Sequence, residues 1–142
     1  MSGAPSTIEF TAEIPPAADF ARLYRSTGWT EASETPDERL AASLTRAWRG
    51  ACARADGEVI GCGLILSDGV LHALIVDVIV DPEWRGRGVG TGIMRRLIAM
   101  CREAGILQTQ LFCARGKRPF YERLGFEARP EDGPGMELGG LH

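Results

Sequence analysis

The sequence predicts a mixed α/β protein built on one sheet, and three observations carry that expectation. Asp56-Gly57 and Ser67-Asp68-Gly69 are turn sequences flanked by apolar runs, which mark hairpins and so three consecutive antiparallel strands. A glycine-rich stretch, Gly86 to Gly92, then separates an apolar run ending at Val80 from an amphipathic segment beginning at Val89. Another apolar run and a proline-initiated helix follow, and 142 residues make one domain of ordinary size, so residues 1–142 are expected to fold as a single domain.

A first strand is expected over 7–11. Pro15 and Pro16 open an amphipathic segment, 17–27, that Gly28 stops. Thr35, Pro36 and Glu38 supply an N-cap, a proline at the first helical position and a glutamate three residues after the cap, the reciprocal capping-box pattern. A second helix is therefore expected from Pro36 to about Trp48. Trp29 lies between the two, and the helix pair is expected to form a flap over one end of the sheet. The hairpin strands are placed at 51–55, 59–66 and 70–80, the last a nearly continuous apolar run as for a strand buried on both faces. Val89, Ile93, Leu97 and Cys101 recur every four residues, and Gly105 ends that helix. Residues 106–113 read as a strand, Pro119 opens a short helix closed by Gly125, and Phe126 begins a final strand.

Composition removes several functions. Sixteen Lys+Arg against nineteen Asp+Glu give a net charge of -3, which offers no broad basic field for nucleic acid. Hydrophobic residues at 44% and charged residues at 25% exclude a disordered or fibrous chain. No apolar run approaches the roughly 18 residues of a membrane span, and the N-terminus has neither a basic stretch nor an apolar signal core, so a cytoplasmic protein without membrane partners is expected. Cys52, Cys62, Cys101 and Cys113 contain no CxxC pair, and His72 and His142 stand at no ligand-like spacing from them. No metal is expected, and most of the thiols read as small core residues in a reducing compartment.

The chemistry concentrates in Arg85-Gly86-Arg87-Gly88-Val89-Gly90-Thr91-Gly92, between a buried strand and a helix N-terminus. Glycines let successive amides turn into one concavity, the helix's unpaired amides add to its positive end, and Arg85 and Arg87 add charge, so the segment is an anion site by construction. A plain turn with solvated arginines is the competing reading. The dinucleotide fingerprint G-x-G-x-x-G fails, because Thr91 or Ile93 stands where its third glycine belongs, and no Gly-Lys-Ser/Thr closes a P-loop. The spacing that remains is R-x-x-G-x-G, running from Arg85 to Gly90.

That loop, after Val78-Ile79-Val80-Asp81-Pro82, resembles the acyl-CoA pyrophosphate loop of the GNAT superfamily of N-acetyltransferases. Pro119-Phe120-Tyr121-Glu122-Arg123-Leu124-Gly125-Phe126 is similar to the same superfamily's last-helix signature. The match covers roughly residues 70–126.

The resemblance implies a mixed, mostly antiparallel central sheet with helices on both faces. It also implies acetyl-CoA as cosubstrate, with its pantetheine arm paired to the backbone of Val78, Ile79 and Val80. The pyrophosphate would rest on the amides of Gly86, Arg87, Gly88, Val89, Gly90 and Thr91. The implied reaction is direct attack of an amine, from a small molecule or a peptide, on the thioester within a ternary complex. A backbone amide near Ile79 or Val80 would stabilise the oxyanion. Tyr121, at the family's tyrosine position, would protonate the departing thiolate, although the same residue could simply pack on a short helix. A homodimer is a further expectation of the family.

The base is less evident, since Leu71 to Val76 and Leu111 to Cys113 contain no carboxylate. Asp77 is the exception, and an aspartate in an apolar strand either anchors a bulge or faces a cleft where burial raises its pKa. A water chain to a more distant carboxylate would serve equally. Trp29 and Gly133-Pro134-Gly135-Met136 could border the acceptor or simply close the core and form a turn, and Arg115, Lys117 and Arg118 could meet the 3'-phosphate of CoA or lie in a solvated loop. A non-catalytic acyl-CoA-binding module is the alternative function.

Overall fold

The structure, a computed structural model, describes residues 7–139, which fall into two compact units divided after Leu111. The first unit is built on a five-stranded sheet of sequential order: β1 (Ile8–Thr11), β2 (Arg49–Ala55), β3 (Glu58–Ser67), β4 (His72–Val80) and β5 (Gln108–Leu111). The first four strands pair antiparallel, and β5 pairs parallel to β4. The two turn sequences do what they predict. Asp56 and Gly57 both have positive φ, 50° and 83°, as a two-residue turn of right-handed strand twist requires. Asp68 gathers the amides of Val70, Leu71 and His72 on one carboxylate oxygen, at 2.8, 2.8 and 3.1 Å. Those amides hold its carboxyl below the usual aspartate value.

The first helix, α1, spans Ala17–Ser26, and the second, α2, spans Asp37–Arg46. The capping box does not form. The Thr35 hydroxyl donates to the carbonyl of Glu31 at 2.8 Å, because a 3₁₀ turn at Thr30–Ala32 presents that carbonyl one turn back. The helix also stops before Trp48, whose amide already donates to Ile65 O at 2.9 Å and starts the β2–β3 ladder.

The helix pair covers one face of the sheet instead of lying over its end. Phe20 and Leu23 of α1 and Leu40 and Leu44 of α2 form one core with Cys52, Cys62, Leu64 and Ile79. This follows from their burial, since a stripe of large apolar side chains on each helix is removed from water only against a broad apolar face. The third helix, α3 (Val89–Glu103), buries Val89, Ile93, Met94, Leu97 and Cys101. It lies on the opposite face of β3, where a Cβ on Gly61 would come within 2.8 Å of Ile93 Cδ1 and one on Gly63 within 2.7 Å of Leu97 Cδ1. Helices thus flank both faces of the first unit's sheet. Part of the glycine excess therefore serves close packing. Gly92 belongs to that part, since a Cβ there would collide with the Phe10 ring of β1.

Three cysteines, Cys52, Cys62 and Cys101, are buried, and Cys113 is exposed. Burial pushes the Cys52 thiol up to about 12 and raises Cys62 as well. Near the end of β1 the carboxylate of Glu13 takes both Nε and Nη2 of Arg54, at 2.9 and 2.8 Å, and also accepts from the Thr11 hydroxyl. The Arg54 guanidinium, foremost, holds Glu13 down at about 2.

The second unit contains the short helix α4 (Arg118–Arg123), ended through Gly125 at φ 101°. No strand follows Phe126 among the described residues, which corrects the expected final strand. Pro130 and Pro134 cannot donate to a ladder, and the chain there turns on itself through Gly133 N to Pro130 O at 2.9 Å. Strand β5 is also shorter than expected, because its pairing with β4 runs only from His72↔Gln108 to Ile75↔Leu111. His142 lies outside the described residues.

Two stability measurements follow. Gly92→Ala should destabilise by about 2 kcal/mol in urea unfolding, and in a Phe10→Ala background the same change should become neutral or stabilising, since a helical alanine then has room. For Glu13 the folded pKa lies below the ordinary value, so its stabilisation is present above about pH 4.5 and is lost as pH falls toward 2. Allowing for solvent screening, about 2 kcal/mol should separate wild type from Glu13→Gln at pH 7 and vanish near pH 2.

Candidate functional site

The hydrogen-bonding of β4 is unequal on its two edges. Along β3 it is paired from Ser67↔Ala73 to Gly61↔Val80, whereas β5 stops at Ile75. From Val76 to Val80 the second edge carries no strand among the described residues. The Asp81 amide donates to Ile60 O at 2.8 Å on the β3 side. Residues of an antiparallel ladder alternate the edge to which they bond, so the amide and carbonyl of Val80 face the unpaired edge, while those of Ile79 face β3.

Between Cys62 and Leu64 the register shifts, so that Gly63 stands opposite both Asp77 and Val78. Asp77 takes φ 52°, a left-handed conformation in which aspartate is tolerated better than a branched residue. The extra residue redirects the side chains. Val76 and Ile79 pack with the α1–α2 core, while Val78 faces Gly63 on the α3 side. Asp77 is thereby turned toward α1, so it both forms a bulge and presents a carboxylate.

The Asp77 carboxyl is half-buried, and its pKa is raised by that burial and, second, by the negative charge of Glu31. Burial, then Asp77 and Glu31, raise the Tyr24 phenol in turn. Tyr24 carries Trp29 edge-on at 5.5 Å between ring centroids, and Trp29 remains 40% exposed, so it does not close the core. Among the described residues none of the side chains of Asp77, Glu31 and Tyr24 has a hydrogen-bond partner. Glu31 and Tyr24 carried no signal in the sequence, since neither sits in a motif and both lie far from Asp77 along the chain.

The loop after β4 is anchored before it becomes open. Asp81 accepts the Glu83 amide at 3.0 Å, capping a 3₁₀ turn at Pro82–Trp84, and the Trp84 amide returns to Asp81 O at 2.8 Å. Arg22 of α1 reaches Val59 O at 2.7 Å and the Asp81 carboxylate at 3.4 Å. Beyond the turn, Gly86 and Gly88 have φ of 77° and 78°, with open space where a side chain would be. Gly88 is the N-cap of α3 and offers no capping side chain, so the first-turn amides of Val89, Gly90 and Thr91 have no partner among the described residues. Arg87 stacks over Trp84 at 4.8 Å, and Arg85 flanks the same loop.

An extended edge of free backbone groups leading to a helix start with free amides suits a ligand that carries amide-like groups and a phosphate. Residues 17–126 match the acetyltransferase (GNAT) family. The chain belongs to the GNAT family. Over 129 residues it is 31% identical to a histone acetyltransferase of Glycine max, covering 83% of this chain and 54% of that protein. A chloroplastic serotonin N-acetyltransferase of Oryza sativa is 34% identical over 80 residues, covering 56% of this chain and 40% of that protein. This chain thus spans about half or less of these curated relatives. Among solved structures, a GNAT-family acetyltransferase of Streptococcus pneumoniae superposes with a TM-score of 0.78 at 26% identity, over 97% of this chain and all of that one. The acyltransferase class implied by the two motifs is the class of the GNAT family.

In the second unit of this GNAT protein, Tyr121 lies on α4 with its ring edge-on to Phe120 at 5.0 Å and to Phe126 at 6.2 Å. Its phenol is raised by burial and, second, by Cys113. Arg118 pairs with Glu122 at 3.2 Å, and Arg115 and Lys117 lie in the exposed turn before it. Gly135 lies against the ring of Phe112, where a Cβ would meet Phe112 Cε1 at 3.0 Å, and Met136 is exposed. Among the described residues no helix is long and apolar enough to cross a membrane, and no cluster of three His, Cys, Asp or Glu could hold a metal.

Because the folded pKa of Asp77 lies above its ordinary value near 3.8, its ionisation opposes folding at neutral pH. Asp77→Asn should therefore unfold at a higher temperature than wild type at pH 7, and the gain should shrink as pH falls through the raised folded pKa and be gone by about pH 4, below which the aspartate is neutral in both states.

Proposed function

We propose that this protein transfers the acetyl group of acetyl-CoA to a primary amine by direct attack in a ternary complex. The observation that carries this reading is the unpaired edge of β4 from Val76 to Val80, continuing into the free amides at the start of α3. The backbone of Val78, Ile79 and Val80 would hold the pantetheine arm by strand-like pairing, chiefly through the edge-facing groups of Val80. The amides from Gly86 to Thr91, with Arg85 and Arg87 beside them, would take the pyrophosphate. Acetyl-CoA supplies the thioester; the residues orient it and move protons.

The amine nitrogen attacks the thioester carbon, the C–N bond forms and the carbonyl oxygen gains the negative charge. An edge-facing β4 amide stabilises that oxygen, where a fixed dipole costs no reorganisation. Asp77 takes the proton from the attacking nitrogen, directly or through one water. Its raised pKa makes it a better base than an exposed aspartate, and Glu31 beside it favours the proton once taken. The C–S bond then breaks, and Tyr121 donates the proton that the CoA thiolate needs, an assignment that rests on the family motif. The acceptor is a small-molecule or peptide amine, in keeping with relatives named for a histone and for serotonin. We assign the activity to one domain over residues 1–142, acting in the cytoplasm.

A thermal melt with acetyl-CoA, CoA, ATP and NADH in parallel tests the cosubstrate. At 100 times its Kd a ligand adds about 2.7 kcal/mol, a rise on the order of 10 °C here, expected for acetyl-CoA and CoA only. No rise with either at millimolar concentration refutes the reading. With an accepted amine, Asp77→Asn and Tyr121→Phe should each lower kcat by about 10²-fold or more while leaving the Kd for acetyl-CoA within a few-fold. Binding without turnover toward any amine would leave an acyl-CoA-binding module.

A further inference from the structure

We propose that Cys62 is a positioning residue for the acyl-CoA edge: its buried thiol holds the carbonyl of Asp77 and thereby fixes the bulge that shapes the unpaired half of β4. This inference rests on the acetyl-CoA reading of that edge. The Cys62 side chain is fully buried, and its thiol donates to Asp77 O at 3.7 Å. Cys62 is also the last β3 residue in register, opposite Ile79, before the ladder shifts around Gly63.

A bulge sets two residues against one, so a backbone group on the bulged strand drops out of the regular ladder. A buried carbonyl left without a donor is costly, and the Cys62 thiol is the donor the structure offers to the carbonyl of Asp77. Burial raises the thiol pKa, which keeps the donor protonated at every physiological pH. The Asp77 carbonyl shares its peptide plane with the Val78 amide, so holding the one fixes the direction of the other on the strand whose second edge is unpaired. A contact on the covered side of the sheet therefore governs the geometry of the opposite edge.

The neighbouring cysteine separates this role from simple packing. Cys52 pairs directly opposite Cys62 in the ladder, is equally buried, and donates its thiol to Glu13 O at 3.6 Å, away from β4. Truncating either thiol removes the same atom from the same core, but only one of them touches the bulge.

The test is calorimetric titration of the full chain with acetyl-CoA, for wild type, Cys62→Ala, Cys62→Ser and Cys52→Ala, with melting temperatures measured alongside. Cys62→Ala should bind acetyl-CoA about tenfold more weakly, while Cys62→Ser, which keeps a donor, and Cys52→Ala, which loses stability only, should stay within about threefold of wild type. Should the alanine variant not fold, Cys62→Val fills the space without a donor and takes its place in the comparison. Equal affinities for Cys62→Ala and Cys52→Ala would overturn the proposal, as would a serine variant as weak as the alanine one, which would reduce Cys62 to packing. If wild type itself binds no acetyl-CoA, the acetyl-transfer reading falls and the proposal with it, an outcome distinct from a wild type that binds and a Cys62→Ala variant that binds equally.

Discussion

The hydrogen-bonding obligations of one strand organise this molecule. Strand β4 is paired with β3 from Ala73 to Val80 around one bulge, yet on the other side β5 leaves it after Ile75. Backbone amides and carbonyls that leave a ladder must find water, a side chain or a ligand, so the second half of β4 is an edge open to any of them. The bulge at Asp77 belongs to the same condition. It changes which way the strand's groups point at the place where the partner strand departs, and it turns a carboxylate toward α1 instead of toward α3.

The approach of α3 places the other half of the site. Gly61 and Gly63 on β3 and Gly92 on α3 itself remove the side chains that would hold the helix away from the sheet. Close packing fixes where the helix begins, and the glycine N-cap leaves its first amides without a side-chain acceptor. A serine or aspartate at that cap would stabilise the helix by about 1 kcal/mol but would occupy amides that an anion could use. Asp77 shows the same tension between stability and reactivity. A half-buried carboxylate in a left-handed conformation, under the negative charge of Glu31, opposes folding while its proton affinity rises.

Much of the fold was legible because its signals are local. Asp56-Gly57 and Asp68-Gly69 encode turns through positive φ and side-chain acceptors, and the four-residue recurrence from Val89 to Cys101 encodes a helix through its geometry. The errors arose where a local pattern met a stronger neighbour. Thr35 had the sequence of a capping box, but a 3₁₀ turn offered its hydroxyl a nearer carbonyl. The segment after Phe126 was read as a strand from its position in the order, although Pro130 and Pro134 cannot donate to a ladder and the glycines around them favour turns.

By itself the sequence determined the hairpins, the helix after the glycine loop, and the family to which the chain belongs, because turn chemistry, helical period and motif spacing act over a few residues. Only tertiary structure decided that β5 ends opposite Ile75, that Asp77 is a bulge residue aimed at α1, and that Glu31 and Tyr24 share its surroundings. It likewise decided that Cys62 meets the carbonyl of Asp77 while Cys52, beside it, does not. These are contacts between segments far apart along the chain. They depend on strand register and on which face of the sheet each helix covers, and no spacing along the chain records either.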